Sequence, residues 1–186
     1  MSESDLLDSG IKVVGSNVRI SESCTIMGAE NVIIGNNVII DAGVVFNCKT
    51  GSITIGNHVH VASGCYLSGA GTIALSDFSG LASGVRIYSA SDDYMGETLT
   101  GPTVPEEFVG VTYAPVHLGK HVIIGSGTVV LPGCGIGEGS SVGALSLVTK
   151  ALDSWGVFCG IPAKRLKDRS RKLLEFERLC TERAIG

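Results

Sequence analysis

Two adjacent carboxylates, Asp92 and Asp93, and four histidines, His58, His60, His117 and His121, are the side chains of this sequence best suited to moving protons. A histidine beside a carboxylate is the general pairing for base catalysis, because the acid orients the ring and steadies the imidazolium. A free carboxylate, with a pKa of about 4, is by itself a weak base toward an alcohol. The spacings His58-x-His60 and His117-x3-His121 also raise zinc, which commonly takes three protein ligands at a catalytic site. Near the other end, Lys164, Arg165, Lys167, Arg169, Arg171 and Lys172 form a basic cluster suited to phosphate groups. One short cluster on a chain of formal net charge −4, without aromatics to stack bases, excludes nucleic acid as its client.

The elements that position these groups are legible in a period of six. Leu118, Ile124, Val130, Ile136, Val142 and Val148 follow one another at that step, and Gly119, Gly125, Gly137 and Gly143 follow four of them. The step recurs at Ile20 and Ile26, at Ile34 and Ile40, at Ile55, Val61 and Leu67, and at Leu75, Leu81 and Ile87. A helix repeats near 3.6 and a flat strand at 2, so six reads as a short strand plus a corner with one apolar residue always inward. Two residues before the anchors lies a second inward slot of small side chains: Val59, Ser79, Val85, Val122, Thr128, Ser140 and Ser146. Four of the six cysteines, Cys24, Cys65, Cys134 and Cys159, take this slot, so they read as small core hydrophobes and not as ligands. The glycines after the anchors suit corners that need positive φ. Glycine at 26 of 186 residues and aromatics at 5% suit such narrow, repetitive packing.

Asp92 and Asp93 stand where this rhythm stops, in Val85-Arg-Ile-Tyr-Ser-Ala-Ser-Asp-Asp-Tyr-Met-Gly-Glu97. Residues 93–115, with Pro102, Pro105 and Pro115, read as an inserted loop, and loops of that length in compact domains usually serve function. Residues 168–184 predict a helix with Leu173, Leu174, Phe176 and Leu179 as its apolar positions, covering the open end of the solenoid. The chain is thus expected to divide into a solenoid, 1–167, and a helical cap, 168–186. No apolar run approaches the ~18 residues of a membrane span, and the acidic N-terminus lacks signal-peptide features. A cytoplasmic protein is expected.

The segment from Ala114 to Lys167, "APVHLGKHVIIGSGTVVLPGCGIGEGSSVGALSLVTKALDSWGVFCGIPAKRLK", resembles the hexapeptide-repeat acyltransferases, in particular the sugar and xenobiotic O-acetyltransferases. That resemblance, covering residues 11–167, implies an all-β solenoid wound as a left-handed parallel β-helix of triangular section. It implies acetyl-CoA as co-substrate and a homotrimer with active sites between subunits. By the same resemblance Ser126 and Ala144, eighteen residues apart, fall on the thioester-to-pantetheine track. Thr149 and Lys150 form the family's Thr-Lys pair, and Pro162-Ala163-Lys164 its Pro-Ala-Lys turn. Lys150, Lys164 and Lys167 are then the candidates to meet the phosphates of the coenzyme.

The sequence also departs from the family. Galactoside, maltose and streptogramin acetyltransferases carry their catalytic histidine where Asp92 stands, and the family's tryptophan before the next Ile-Gly is replaced by Ile123. His60 precedes the anchor Val61 and so points outward, with Gly80 leaving space beside it. It is the candidate base, paired across a subunit boundary with Asp92 or Asp93 of a neighbour. The pattern also looks like a subset of cell-surface polysaccharide acetyltransferases, which implies acetylation of a sugar hydroxyl in polysaccharide or O-antigen biosynthesis. The alternatives are N-acetylation of a nucleotide-linked amino sugar, a γ-type carbonic anhydrase binding zinc, and a scaffold without catalysis. The coenzyme signatures argue for acyl transfer and for no metal.

Overall fold

Runs such as Val32–Ile34, Val38–Ile40 and Ser52–Ile55 are three or four residues long and rich in β-branched side chains, so each makes one short strand before glycine or asparagine turns the chain. In the computed structural model, which describes residues 10–185, these strands wind into a parallel solenoid of about seven turns with three faces. The first face runs from Val13–Val14 through Thr72–Leu75 to Val116–Leu118, and single bridges carry it on to Ile136 and Leu152. The second holds His60–Val61, Gly80–Leu81 and Ile123–Ile124, and the third holds Tyr66–Ser68, Arg86–Tyr88 and Val129–Val130. Nine residues of the expected 1–167 unit, and Gly186 of the expected cap, lie outside the described residues.

All six anchors from Leu118 to Val148 are buried, as are Val59, Val85, Val122, Thr128, Ser140 and Ser146 of the second slot. Cys65 and Cys134 are buried beside them, Cys24 and Cys159 partly so, and none of the six cysteines is paired. Burial pushes the thiols of Cys24, Cys65 and Cys134 above their ordinary range, as it does Cys48. They pack as hydrophobes.

The glycines after the anchors do a different job from the one expected of them. Gly119, Gly125 and Gly137 have no positive φ; a Cβ on them would stand 2.4 to 2.6 Å from a backbone nitrogen of the next coil. They are bare so that one coil can lie on another. Positive φ falls two residues further on, at Asn37, His58, Phe78 and His121, between 57° and 63°. Those side chains stack along one edge: His58 on Phe78 at 4.6 Å between ring centroids, and Phe78 on His121 at 5.2 Å.

The C-terminal end corrects the expectation of a helix from residue 168. Lys164–Asp168 is a strand that turns back antiparallel against Gly156–Cys159, and helix α1 begins only at Leu173 and ends at Ile185. The strand, not the helix, caps the last coil, because the edge left by a final parallel strand needs backbone partners and a strand supplies them. Phe176 and Leu179 stay 61% and 48% exposed, so α1 does not plug the core. It is tied to the solenoid's side through Glu177, which accepts from Lys120 Nζ and lies 2.8 Å from His121 Nε2.

The small polar residues of the inner slot differ in what they bind. Ser140 Oγ donates to the carbonyl of Asp153 at 2.7 Å and accepts from the amide of Gly156 at 3.2 Å. The buried hydroxyl of Ser79 has no partner among the described residues. Ser140→Ala is therefore expected to cost about 1–3 kcal/mol in urea unfolding, the cost of buried groups left unpaired, whereas Ser79→Ala should leave stability unchanged or raise it. Equal losses in the two variants would contradict this account of the slot.

Candidate functional site

On the second face, outward side chains follow the order Ile39, His60, Gly80, Ile123 from coil to coil. The inward neighbours Ile40, Val61, Leu81 and Ile124 hold the row in register, so the outward positions carry no packing duty. Gly80 is not needed for its backbone: φ is ordinary, and a Cβ there would meet only the carbonyl oxygen of His60 at 3.8 Å. Its bareness opens a groove of about 300 Å³ bounded by His60, Ala62, Gly80, Ser83, Ile123 and Ser126. His60 and Ser126, singled out separately in the sequence, thus share one groove.

His60 finds its carboxylate within its own chain. Its Nε2 lies 2.8 Å from Oδ2 of Asp41, one coil below, with both side chains partly open to solvent. Counting in strict sixes does not find this partner, because the lower coils are longer: Asp41 precedes His60 by 19 residues. The only hint is an acid directly after the anchor Ile40, at the start of a turn. A His–carboxylate pair at the edge of an open groove can accept a proton from a nucleophile and hold the resulting charge.

The two acids of the opening pair have separate places. Ala90–Ser91 pairs antiparallel with Thr112–Tyr113, which closes the base of the inserted loop, and both acids lie just beyond it. Asp93 turns its carboxylate into that loop and accepts from the amides of Met95, Glu97 and Thr98 at 2.6 to 2.7 Å. These donors, that of Met95 foremost, hold the Asp93 carboxyl below the ordinary carboxylate range. The carboxylate of Asp92 has no hydrogen-bond partner among the described residues and borders a cleft with Tyr88 and Tyr94.

The remaining sequence candidates fall in three places within one chain. Ser126 and Ala144 lie on adjacent coils at the corner between the second and third faces, where the amide of Leu145 donates to the carbonyl of Ser126 at 2.9 Å. Thr149 and Lys150 follow Leu147–Val148 and stand at the far end of the third face, the corner that also bears Asp92. Pro162 follows a cis peptide and lies in the turn before Lys164–Asp168, from which Lys164 and Lys167 project exposed. The rest of the basic cluster is mostly engaged. Arg165 pairs with Asp168, Arg169 donates to the carbonyls of His121, Gly139 and Ser140, and Arg171 lies over Trp155. The histidines do not converge as zinc ligands: His58 and His121 belong to the edge stack, and His117 Nε2 lies 2.9 Å from Ser76 Oγ. No group of three metal-ligating side chains is found among the described residues.

Outward chemistry on an inert coiled frame is the plan of an acyltransferase of the left-handed β-helix class, and the chain belongs to the hexapeptide-repeat acyltransferase family. It is 41% identical over all 186 residues to dTDP-4-amino-4,6-dideoxy-D-glucose acyltransferase of Escherichia coli, covering 97% of that protein. It is also similar to AntD, an N-acyltransferase from Bacillus cereus solved in complex with dTDP and 3-hydroxybutyryl-CoA: TM-score 0.95, 37% identity, 100% of this chain and 98% of that one. A variant of AntD solved with dTDP-4-amino-4,6-dideoxyglucose and coenzyme A gives TM-score 0.94 and 38% identity, over 98% and 97% of the two chains. Over 52 residues, 28% of this chain and 25% of its partner, it is 44% identical to the chloramphenicol acetyltransferase of Klebsiella aerogenes. No family model matches the chain.

Because its pKa is lowered by folding, Asp93 contributes loop order that is complete above the ordinary carboxylate pKa and fades as pH drops through the lowered value. Hydrogen-exchange protection at the amides of Met95, Glu97 and Thr98, taken relative to the intrinsic rate at each pH, should fall in Asp93→Ala at neutral pH, and in the wild type only under acid. Unchanged protection in the variant would mean that the loop is ordered by other contacts.

Proposed function

We propose that this protein transfers an acyl group from acyl-CoA to the amino group of a nucleotide-linked amino sugar. The observation that carries this reading is full-length likeness to an acyltransferase and an N-acyltransferase whose acceptors or ligands are dTDP-amino sugars or dTDP. It favours the amino-sugar alternative over the sugar hydroxyl first expected, and the route to O-antigen acetylation gives way with it. An amine needs less help than an alcohol: once neutral it is a good nucleophile, so the site must remove a proton and place the nitrogen.

In this reading the acceptor nitrogen attacks the thioester carbonyl carbon. The ammonium first loses one proton to solvent; the neutral nitrogen then forms the new C–N bond, the C–S bond breaks, coenzyme A leaves as thiolate, and the nitrogen's second proton passes to the site's base. His60 serves as that base, oriented by Asp41, in the groove that ends at Ser126. Asp92, whose carboxylate has no internal partner, attracts the acceptor's ammonium group, and Asp93 keeps the loop that carries Tyr94, Glu97 and Phe108 over the acceptor. The pantetheine arm follows Ser126 and Ala144, whose small side chains let amides come close. Thr149, Lys150, Pro162, Lys164 and Lys167 serve the coenzyme's distal end, the lysines meeting its phosphates.

His60 stands on the second face and Asp92 at the corner beyond the third, so the third-face strand, roughly 10 Å for three extended residues, lies between them. A single chain therefore cannot bring both to one nitrogen, which supports a cyclic homotrimer with each site shared between subunits. No helix among the described residues is long and apolar enough to cross a membrane, and we place the reaction in the cytoplasm, where charged nucleotide sugars are soluble.

The direct test is thiol release from acetyl-CoA with dTDP-4-amino-4,6-dideoxyglucose as acceptor; turnover only with hydroxyl sugars would overturn the N-acyl reading. His60→Ala should lower kcat by ~10²-fold or more with little change in acetyl-CoA affinity. Asp92→Asn should chiefly raise the acceptor KM. Mixed trimers of these two variants should regain part of the activity if sites are shared, whereas a monomer by light scattering would exclude sharing. Lys150→Ala and Lys164→Ala should each weaken acetyl-CoA binding about fivefold or more, roughly 1 kcal/mol, by calorimetry.

A further inference from the structure

The third face presents a second set of outward side chains that the acyl-transfer groove does not use. Along Arg86–Tyr88 the middle residue, Ile87, is fully buried, so Arg86 and Tyr88 point outward together, about 6.6–6.8 Å apart along the strand. Tyr66, on the coil below, lies in register with Arg86, and its ring centroid is 5.8 Å from that of Tyr88. Arg86 is exposed and has no ion pair or side-chain hydrogen bond among the described residues. That sets it apart from Arg165, Arg169, Arg171 and Arg178, each of which engages a carboxylate, carbonyls or a ring. An exposed guanidinium on a rigid strand, beside a pair of tyrosines and with no ion pair among the described residues, suits an anion.

Directly beyond Tyr88 lies a cleft of about 540 Å³, bounded by Tyr88, Ala90, Asp92, Tyr94, Leu131 and Pro132. Its walls combine two aromatic rings, an apolar patch and one carboxylate without an internal partner. A plain hexose, hydroxylated all round, fits such walls poorly. A deoxy amino sugar fits them: its methyl and C–H faces match Leu131, Pro132 and the tyrosine rings, and its ammonium matches Asp92.

We propose that Arg86 and this cleft together form the acceptor subsite, with the guanidinium holding the diphosphate and the cleft holding the deoxy amino sugar attached to it. The inference rests on the nucleotide-sugar reading above and adds the residues that enforce it. The order along the strand fixes the order of the ligand. With the amine at Asp92 and the hexose against Tyr88 and Tyr94, the diphosphate falls at Arg86 and the nucleoside continues past it along the face. Free amino sugars, lacking the diphosphate, lose the only strong charge contact remote from the reacting nitrogen.

The test uses three probes on the intact protein: dTDP, thymidine and acetyl-CoA, titrated by calorimetry. Arg86→Gln keeps the side chain's length and removes its charge. It should weaken dTDP binding tenfold or more, leave thymidine and acetyl-CoA binding within twofold of wild type, and raise the KM for the nucleotide sugar while kcat changes little. Tyr94→Ala, at a residue 91% exposed, should raise the same KM and leave dTDP affinity unchanged, because it faces the hexose and not the nucleotide. Wild-type dTDP affinity in Arg86→Gln would overturn the subsite while leaving the acyl-transfer reading intact. A parallel loss of dTDP and acetyl-CoA binding, with a lowered melting temperature, would assign Arg86 a structural role and equally overturn it. A wild-type protein that ignores dTDP at millimolar concentration yet acylates a free amino sugar would remove the nucleotide-sugar reading itself.

Discussion

The contact on which everything else rests is the one between successive coils at their corners. Strands in parallel ladders lie about 4.8 Å apart, and at that spacing the corner backbone of one coil sits directly on the next. Gly125 shows the tolerance: a single Cβ would stand 2.4 Å from the amide nitrogen of Ala144. Meeting that spacing at every corner keeps anchors such as Leu81, Ile124 and Val142 stacked inside. A coil displaced by one residue would turn its whole inward row outward. Inward positions are thereby committed to packing, and chemistry is left to outward positions and to insertions that leave the corners.

This division explains what could be read from the sequence and what could not. The period, most of the inward slots and the site of the insertion depend on residue type at fixed spacing, and the structure has them where the spacing puts them; Cys159 is an exception, because Phe158 takes the inward place in the last coil and Cys159 alternates outward. The positions of positive φ were misassigned, because glycine at Gly119 and Gly137 answers to crowding across coils, a contact eighteen or so residues away that local turn rules do not contain. The helix expected from residue 168 starts only at Leu173, and Lys164–Asp168 is a strand. It is a strand because the edge beside Gly156–Cys159 is unpaired, and that is a tertiary fact. Asp41 was invisible as a partner of His60 because the lower coils depart from the eighteen-residue turn of the upper ones. Asp92 and Asp93 are the same residue type side by side, and only the path of the loop separates the carboxylate tied to three amides from the one left open.

Charge is distributed by the same logic. The basic cluster that looked uniform in sequence is largely consumed by the fold: Arg169 reaches three carbonyls at the last corners, and Arg171 covers Trp155. Helix α1 is held by Glu177, whose carboxyl is kept below its ordinary range first by Lys120 and also by His121. His121 in turn ends the ring stack that runs up from His58, so the helix is fastened to the one edge of the solenoid already stiffened by aromatic contacts. Among the lysines and arginines of the described residues only Lys120, Arg165 and Arg178 make ion pairs, so Lys150, Lys164, Lys167 and Arg86 are among the cations left without one. Free cations on an acidic protein cost stability through their own desolvated neighbours only when buried; exposed, they are available to ligands.

The solenoid's geometry also constrains how such ligands can meet. Each face is flat and about one short strand wide, so no single chain encloses a reaction: the His60 groove and the Asp92 cleft open on different sides of one corner-to-corner span. Long donors and long acceptors suit this arrangement, because each can lie along a face and extend only its reactive end toward the other. In the shared-site arrangement proposed above, two such faces brought together by a neighbouring subunit would enclose the reacting nitrogen and thioester between them, and the meeting of surfaces would exclude water. The inserted loop leaves the stack. Asp93, by gathering three of its amides, gives it the fixed base that the coils give everything else.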